Sequence, residues 1–119
     1  MSTQQVAARL IELVGRGEFD AAQRELFAED AVSLEQQGSE LFQKETKGLR
    51  AIIEKGRRWT SLVERVHSCS VSAPLVAGNA IALTLAMDVT MKGSGRMQLE
   101  EICVYEVKDG KIAWERFFM

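Results

Sequence analysis

The sequence predicts an α+β fold, with helices in the first half of the chain and a long antiparallel sheet in the second. Residues 80–91, 97–107 and 111–118 alternate with a period of two, which is typical of strands that bury one face. Gly93–Gly95 and Asp109–Gly110 lie between these runs and predict tight turns, because glycine accepts a positive φ. Upstream, apolar residues recur at helical spacing. Helices followed by an antiparallel meander are the α+β pattern.

Composition limits the kinds of protein that this chain can be. Its 119 residues predict one domain over residues 1–119. The formal net charge of −2, without a basic stripe, argues against nucleic acid as a partner. No apolar run approaches the ~20 residues of a membrane span, and the first residues lack a signal-peptide pattern. Cys69 and Cys103 are expected to be free thiols, so we expect a cytoplasmic protein.

Two helices are predicted at the start of the chain. Ser2 or Thr3 can cap the first helix, and Gln5 stands where a capping box after Ser2 requires it. Gly15–Gly17 is expected to end this helix. A second, shorter helix is predicted from about Glu18, because apolar residues again fall on one side.

A short strand, a loop and a third helix come next. Residues 31–36 form a brief extended run, and residues 37–47 show no period and predict a loop. Gly48 opens a third helix with Trp59 on its apolar stripe, in the core or at a pocket wall. Lys55 is among the charged residues of this helix that are expected to face water.

Four long strands are predicted in the rest of the chain. The first covers residues 63–73 and ends at Pro74, and Gly78–Asn79 forms the turn into the alternating runs described above. The odd positions of residues 81–89 are all apolar, but the other face is half apolar as well. This distribution fits a sheet that is covered by helices on one side and by a second subunit on the other.

The order of these elements resembles the nuclear-transport-factor-2-like superfamily, which includes ketosteroid isomerase, scytalone dehydratase, limonene epoxide hydrolase and the SnoaL-like polyketide cyclases. The motifs that carry the resemblance are LIELVGRGEFDAAQRELFAEDAVSLE (Leu10–Glu35) and VYEVKDGKIAWERFF (Val104–Phe118), and both are similar to SnoaL-like sequences. The resemblance implies a cone-shaped open barrel, in which a curved antiparallel sheet of a short strand and four long strands wraps three N-terminal helices. It also implies a small-molecule pocket inside the cone and a homodimer through the outer sheet face.

The resemblance transfers to the catalytic positions only in part. Glu35 occupies the position of the isomerase's general base, an aspartate just after the short strand. Leu10 stands where the isomerase has a tyrosine oxyanion donor, and Cys103 or Ile102 stands where it has a protonated aspartate. Losing even one such donor raises the barrier to enolisation by roughly 3 kcal/mol. The resemblance therefore does not imply steroid isomerisation itself.

His67 is the only histidine and a candidate catalytic or ligand-orienting residue. It shares strand parity with Cys69 and Val71, which predicts that it faces the core. A lone histidine on such a face is more often a hydrogen-bonded core residue, and this alternative stays open.

Several acids are candidates for proton transfer. Alternation sends Glu100 and Glu101 to opposite faces, and the resemblance aligns Glu101 and Glu115 with the inward side. Acids that share a site push one pKa up, so a proton donor and a proton acceptor can coexist near neutrality. The alternative, which the sequence favours, is a structural network in which Glu115 pairs with Arg96 or Arg116.

The sequence supports three hypotheses about function. The first is a cofactor-free acid–base enzyme of the isomerase, cyclase, dehydratase or epoxide hydrolase type on a small, largely apolar substrate. Its catalytic candidates are Glu35, His67 and Glu101, with Tyr105 as a further donor. The second is a non-catalytic small-molecule binder, and the third is a dimeric interaction module with a vestigial pocket.

No metal-ligand spacing and no cofactor motif is present. The expected pocket-lining residues are Leu10, Phe42, Trp59, Met87, Cys103, Tyr105, Glu115 and Phe117.

Overall fold

The computed structural model describes residues 1–39 and 42–119. Over these residues the chain forms three helices and seven strands, so the predicted α+β class is confirmed. The helices are α1 (Thr3–Gly15), α2 (Phe19–Leu26) and α3 (Leu49–Leu62). The strands are β1 (Phe27–Leu34), β2 (Glu45–Lys47), β3 (Val63–Val71), β4 (Leu75–Ala77), β5 (Ala80–Met91), β6 (Gly95–Lys108) and β7 (Lys111–Phe118).

Local sequence signals fix the ends of the first and third helices. Ser2 and Gln5 form the predicted capping box at the start of α1, because each side chain accepts a hydrogen bond from the other's backbone N–H. Gly17 follows the end of α1 with a φ of 75°, which glycine adopts without strain. Gly48 precedes α3 and donates its N–H to the carbonyl of Ala31 at 2.8 Å. This bond ties the start of α3 to β1.

The strands form one curved, unclosed sheet in the order β2-β1-β7-β6-β5-β3, with β4 paired to β5. The neighbouring strands are antiparallel except for β1 and β7, which run parallel. The sheet is therefore mixed, whereas the sequence analysis predicted a purely antiparallel one. Within the described residues, the sheet has two strands more than the five that were predicted. The prediction missed β2 and β4, because strands of three residues are too short to show a period. Its curvature and the three helices match the predicted cone.

The strand β1 begins at Phe27, directly after α2, whereas alternation predicted a strand only from residue 31. Its pairing with β7 shifts register between Phe27 and Val32, which is an irregularity of the kind that a bulge produces. This shift breaks the period of two in the first half of the strand, so the sequence pattern could not show it.

The inner face of the sheet packs against the helices, as the alternation predicted. The odd positions of β5 from Ile81 to Val89 are all buried. They join apolar side chains of all three helices in one core, which includes Leu10, Leu26 and Ile52. Within the described residues, no helix has the length and apolar character needed to cross a membrane.

Candidate functional site

An open cavity of about 340 Å³ lies between the helices and the inner face of the sheet. All three helices and the strands β5, β6 and β7 contribute to its wall. The wall includes every residue that the sequence analysis expected to line a pocket, namely Leu10, Phe42, Trp59, Met87, Cys103, Tyr105, Glu115 and Phe117. Glu35 and Glu101 also line it, whereas His67 does not. The cavity therefore brings together most of the candidate site residues.

The ammonium group of Lys55 connects the polar side chains that line or adjoin the cavity. Lys55 donates from Nζ to Ser33 Oγ at 2.5 Å and to Glu35 Oε1 at 3.1 Å. Ser33 in turn donates its hydroxyl proton to Glu115 Oε1 at 2.8 Å. The ammonium also lies 5.6 Å from the ring centroid of Phe117. These bonds form one connected network, called the inner cluster, which consists of Lys55, Ser33, Glu35 and Glu115.

Strand register and helix spacing bring the inner cluster together. Ser33 and Glu115 are register partners in the parallel pair of β1 and β7, so their side chains point to the same face. Glu35 follows the end of β1 directly, and its N–H donates to the carbonyl of Lys44 at 2.8 Å. Lys55 reaches the cluster from α3, with its side chain 12% exposed. The expectation that Lys55 faces water is therefore wrong.

Burial raises the pKa of Glu115. Its side chain is almost fully buried, and loss of hydration raises its pKa to about 7. The hydrogen bond from Ser33 and the charge of Lys55 both act in the opposite direction, because they favour the carboxylate. The carboxylates of Glu35 and Glu101 reinforce the rise. Glu115 can therefore gain or lose a proton near neutral pH.

A second set of buried acidic groups lies on β6. Burial raises the pKa of Glu101, and the thiol of Cys103 donates to Glu101 Oε1 at 3.5 Å. Burial also raises the pKa of the Cys103 thiol and of the Tyr105 hydroxyl, so both groups keep their protons at neutral pH. Tyr105 packs edge-on against Phe27, with ring centroids 6.5 Å apart. The wall of the cavity thus offers proton donors on β6 and a carboxylate at Glu35.

His67 lies outside the cavity, which overturns the prediction that it faces the core. Val66 pairs with Val89 and Ser68 pairs with Asp88, so His67 is an extra residue in a β-bulge. The bulge reverses the parity on which the prediction rested. His67 is exposed on the outer face, where its Nε2 lies 2.7 Å from Thr90 Oγ1.

The expected pairing of Glu115 with an arginine is also wrong, because both arginines point to the outer face. Arg96 makes two bonds to Asp88, at 2.9 and 2.8 Å. Arg116 lies over the ring of Phe118, 5.0 Å from its centroid. Glu115 accepts a hydrogen bond from Ser33 instead, and the nearby charge of Lys55 favours its carboxylate.

The sequence analysis missed Ser33 and Lys55 as site residues. Helical spacing could have identified Lys55, because it lies three residues after Ile52 and four before Trp59, on the same stripe. Ser33 carried no comparable signal, since its role depends on the parallel pairing with β7. Among residues 1–39 and 42–119, no group of three or more His, Cys, Asp or Glu side chains is arranged to hold a metal ion.

Comparison with known proteins places this site in a family. The model of the SnoaL-like domain matches residues 1–119. A protein from Mesorhizobium loti that carries the name SnoaL-like polyketide cyclase is 32% identical, with a TM-score of 0.91 and 100% of both chains covered. No curated protein matches the sequence.

More distant solved structures share the fold. An NTF2-like protein of unknown function from Burkholderia pseudomallei is 15% identical, with a TM-score of 0.81 and 100% of this chain and 92% of that chain covered. A protein with a ketosteroid isomerase-like fold from Catenulispora acidiphila, in complex with trimethylamine, is 14% identical. Its TM-score is 0.75, with 99% of this chain and 87% of that chain covered. The full-length match to the domain model and the relative from Mesorhizobium loti show that this chain belongs to the SnoaL-like domain family.

Proposed function

We propose that this protein is a cofactor-free acid–base enzyme that acts on a small, largely apolar molecule held in the cavity. The observation that carries the proposal is the convergence of Glu35, Glu101 and Glu115 around Lys55 in a cavity with otherwise mostly apolar walls. Carboxyl groups in unlike environments can serve as acid and base in the same site. Isomerisation, cyclisation, dehydration and epoxide opening all need this pair of roles.

Glu35 is the proposed general base. It reaches the cavity with a side chain that is 27% exposed, and its carboxylate is paired with the ammonium of Lys55. The ion pair holds the carboxylate in one orientation, which a base needs in order to meet the proton that it abstracts. Its position also corresponds to the general base of ketosteroid isomerase in the resemblance described above.

Glu101 is the proposed general acid, and Glu115 stores a proton in the cavity wall. Burial raises the pKa of Glu101, so its protonated form persists closer to neutral pH than that of an exposed glutamate. Glu115 connects to Glu35 through Ser33 and Lys55, and it titrates close to pH 7. One carboxyl can thus take a proton from the substrate while another returns one.

The remaining expectations from the sequence belong to the same proposal. The chain acts as a single domain in the cytoplasm and pairs with a second copy through the outer face of the sheet. In support, Ile102 on that face is 49% exposed and is the register partner of Phe118. The tryptophan Trp114 also lies on that face and donates to Glu106 at 2.8 Å.

A non-catalytic binder is the second candidate function. It is favoured by the inner cluster itself, because Lys55, Ser33, Glu35 and Glu115 bond to one another. The interaction-module alternative is weaker. An interaction module with a vestigial pocket would have that pocket filled by side chains. Instead, a cavity of about 340 Å³ is present, and its lining includes Trp59, Phe42, Met87 and Phe117.

Proton transfer to and from a bound probe tests the proposal. Cyclohexanone, cyclohexenone, acetophenone and styrene oxide would be incubated with the protein in deuterium oxide, and exchange or turnover followed by proton NMR. We expect Glu35→Gln to lower the rate by about 10²–10⁴-fold, the usual contribution of a general base. Binding of the same probe should change little, because the amide keeps the shape of the carboxylate.

Glu100→Gln is the matched control, because Glu100 neighbours Glu101 in sequence but is exposed. It should leave the rate unchanged. Binding without any exchange or turnover, unaffected by Glu35→Gln, would instead establish the binder.

A further inference from the structure

A second cavity of about 230 Å³ adjoins the first. It lies between the turn after α1, the end of α3 and the strand β3. The two cavities share part of their walls, namely Phe19, Trp59, Thr60 and Met87. Because the same side chains line both spaces, the two cavities lie side by side, and together they are called the groove below.

The groove runs along α3 and across the sheet. Lys55 and Trp59 are spaced four residues apart, which is about 6 Å of rise along α3, and Val63 follows the helix as the first residue of β3. Lys55 lines only the first cavity, Trp59 lines both, and Val63 lines only the second. The polar groups of the first cavity therefore lie at one end of this line.

The pairing of the strands indicates the same direction for the groove. Met87 pairs with Leu99 on β6 and with Cys69 on β3, and Cys69 lines the second cavity. From Glu115 on β7 to Cys69 on β3 the line crosses three inter-strand spacings, which is about 14 Å across the strands. It also advances along β6, because Glu115 pairs with Tyr105 whereas Met87 pairs with Leu99. A ligand that filled both cavities would thus be elongated.

An uncovered apolar side chain marks the far end of the groove. Val66 lines the second cavity and is 50% exposed, although its register partner Val89 is fully buried. Paired residues of adjacent strands point to the same face, so Val66 lies on the inner side of the sheet without a side chain to cover it. An apolar group bound in the second cavity would remove this surface from water.

We propose that the second cavity extends the ligand site, so that the ligand is an elongated molecule with a polar end near Lys55 and an apolar tail that passes Trp59. This inference rests on the proposed function, because it takes the first cavity as the site of the reacting group. It adds the shape and chemical class of the substrate, and it makes Trp59 and Val66 determinants of the tail length.

A chain-length series tests the inference. Hexanol, octanol, decanol and dodecanol would be titrated into the protein by calorimetry. Each methylene that leaves water should tighten binding about fourfold, and we expect this gain to continue to dodecanol. Val66→Asp, at an exposed position, should abolish the gain for the two longest alcohols and leave hexanol unchanged. Leu75→Asp is the matched control, because Leu75 is 76% exposed and lines neither cavity.

The possible outcomes separate the two proposals. If affinity stops rising at octanol, or if Val66→Asp and Leu75→Asp behave alike with every alcohol, the extended site is wrong and the first-cavity function stands. If no alcohol binds the unmodified protein, the extended site is wrong, and proton transfer to the ketone and epoxide probes still decides the proposed function. Glu35→Gln should abolish proton transfer without changing the chain-length dependence, so loss of turnover alone bears only on the proposed function.

Discussion

The two faces of the sheet carry two clusters of similar side chains with opposite electrostatic behaviour. The inner cluster contains the glutamate Glu115 near a lysine, and the outer cluster, formed by His67, Asp88, Thr90 and Arg96, contains an aspartate bonded to an arginine. The two-point bond to Arg96 lowers the pKa of Asp88, whereas burial raises that of Glu115 to about 7.

A cation is close to the carboxyl group in both clusters, so its presence alone does not explain the contrast. The difference is hydration, because Arg96 is 63% exposed whereas Lys55 is 12% exposed. Asp88 is itself only 16% exposed, but it bonds directly to an arginine that stays in contact with water. Glu115 bonds to the neutral hydroxyl of Ser33, and its burial costs more hydration than the charge of Lys55 restores. The comparison therefore predicts that substitutions in the inner cluster have large, pH-dependent effects and those in the outer cluster small ones.

Lys55→Met should have the largest effect on stability. It leaves Glu35, Glu101 and Glu115 near one another without a cation, and breaking a buried ion pair in this way costs roughly 4 kcal/mol. The loss should be smaller at pH 5 than at pH 8, because Glu115, with a pKa of about 7, is then neutral. Urea unfolding at pH 8 and pH 5 measures the difference. Lys47→Met is the control, since Lys47 is 76% exposed, and an equal loss at both pH values would assign the effect to packing.

Glu115→Gln should flatten the dependence of stability on pH. The folded pKa of about 7 lies above the ordinary value of 4.5, so between these values the folded state holds a proton that the unfolded state has released. The stabilisation is complete below pH 4.5 and is lost as the pH rises through 7, a change of about 3 kcal/mol in the unfolding free energy. Urea unfolding from pH 4.5 to 8 should show this slope in the unmodified protein.

The slope should be much weaker in Glu115→Gln and unchanged in Glu100→Gln, whose exposed carboxyl serves as the control. An identical slope in Glu115→Gln and the unmodified protein would show that Glu115 ionises like a surface acid, and the contrast between the two faces would disappear.

The smallest effects are expected in the outer cluster. Asp88→Asn removes a pair whose arginine is 63% exposed, so the urea midpoint should move slightly, and less still in about 1 M salt, which screens surface charges. His67→Gln should leave proton transfer in the cavity unchanged, because His67 does not line it. A large loss of turnover in His67→Gln would reverse the assignment of roles to the two faces.

The sequence predicted most of the fold because its signals were local. Alternation along β5 and β6 identified the buried face, and the Ser2–Gln5 pattern identified the start of α1. The parallel pairing of β1 with β7 joins two distant parts of the chain, and no local pattern predicts it. The early start of β1 at Phe27 was missed for the same reason, because its alternation is interrupted where it meets β7.

The site was harder to predict, because its parts depend on register. Glu35, Glu101 and Glu115 were identified through the resemblance, and all three line the cavity, although their roles stay a proposal. The bulge at His67 changed the face on which a correctly identified strand places its side chain. The hydrophobic stripe of α3 contains Lys55, whose charge suggested a solvent-facing position until its partners on β1 were known.

The parallel pairing of β1 with β7 also affects when the site forms. The bond between Ser33 and Glu115 joins residues 82 positions apart, so the inner cluster cannot form until β7 has joined the sheet. Contacts of such long range slow folding, because a large loop must close before they form. On the ribosome, the helices and the early strands emerge while Lys55 and Glu35 still lack Glu115, and the inner cluster is completed only when the last strand is synthesised.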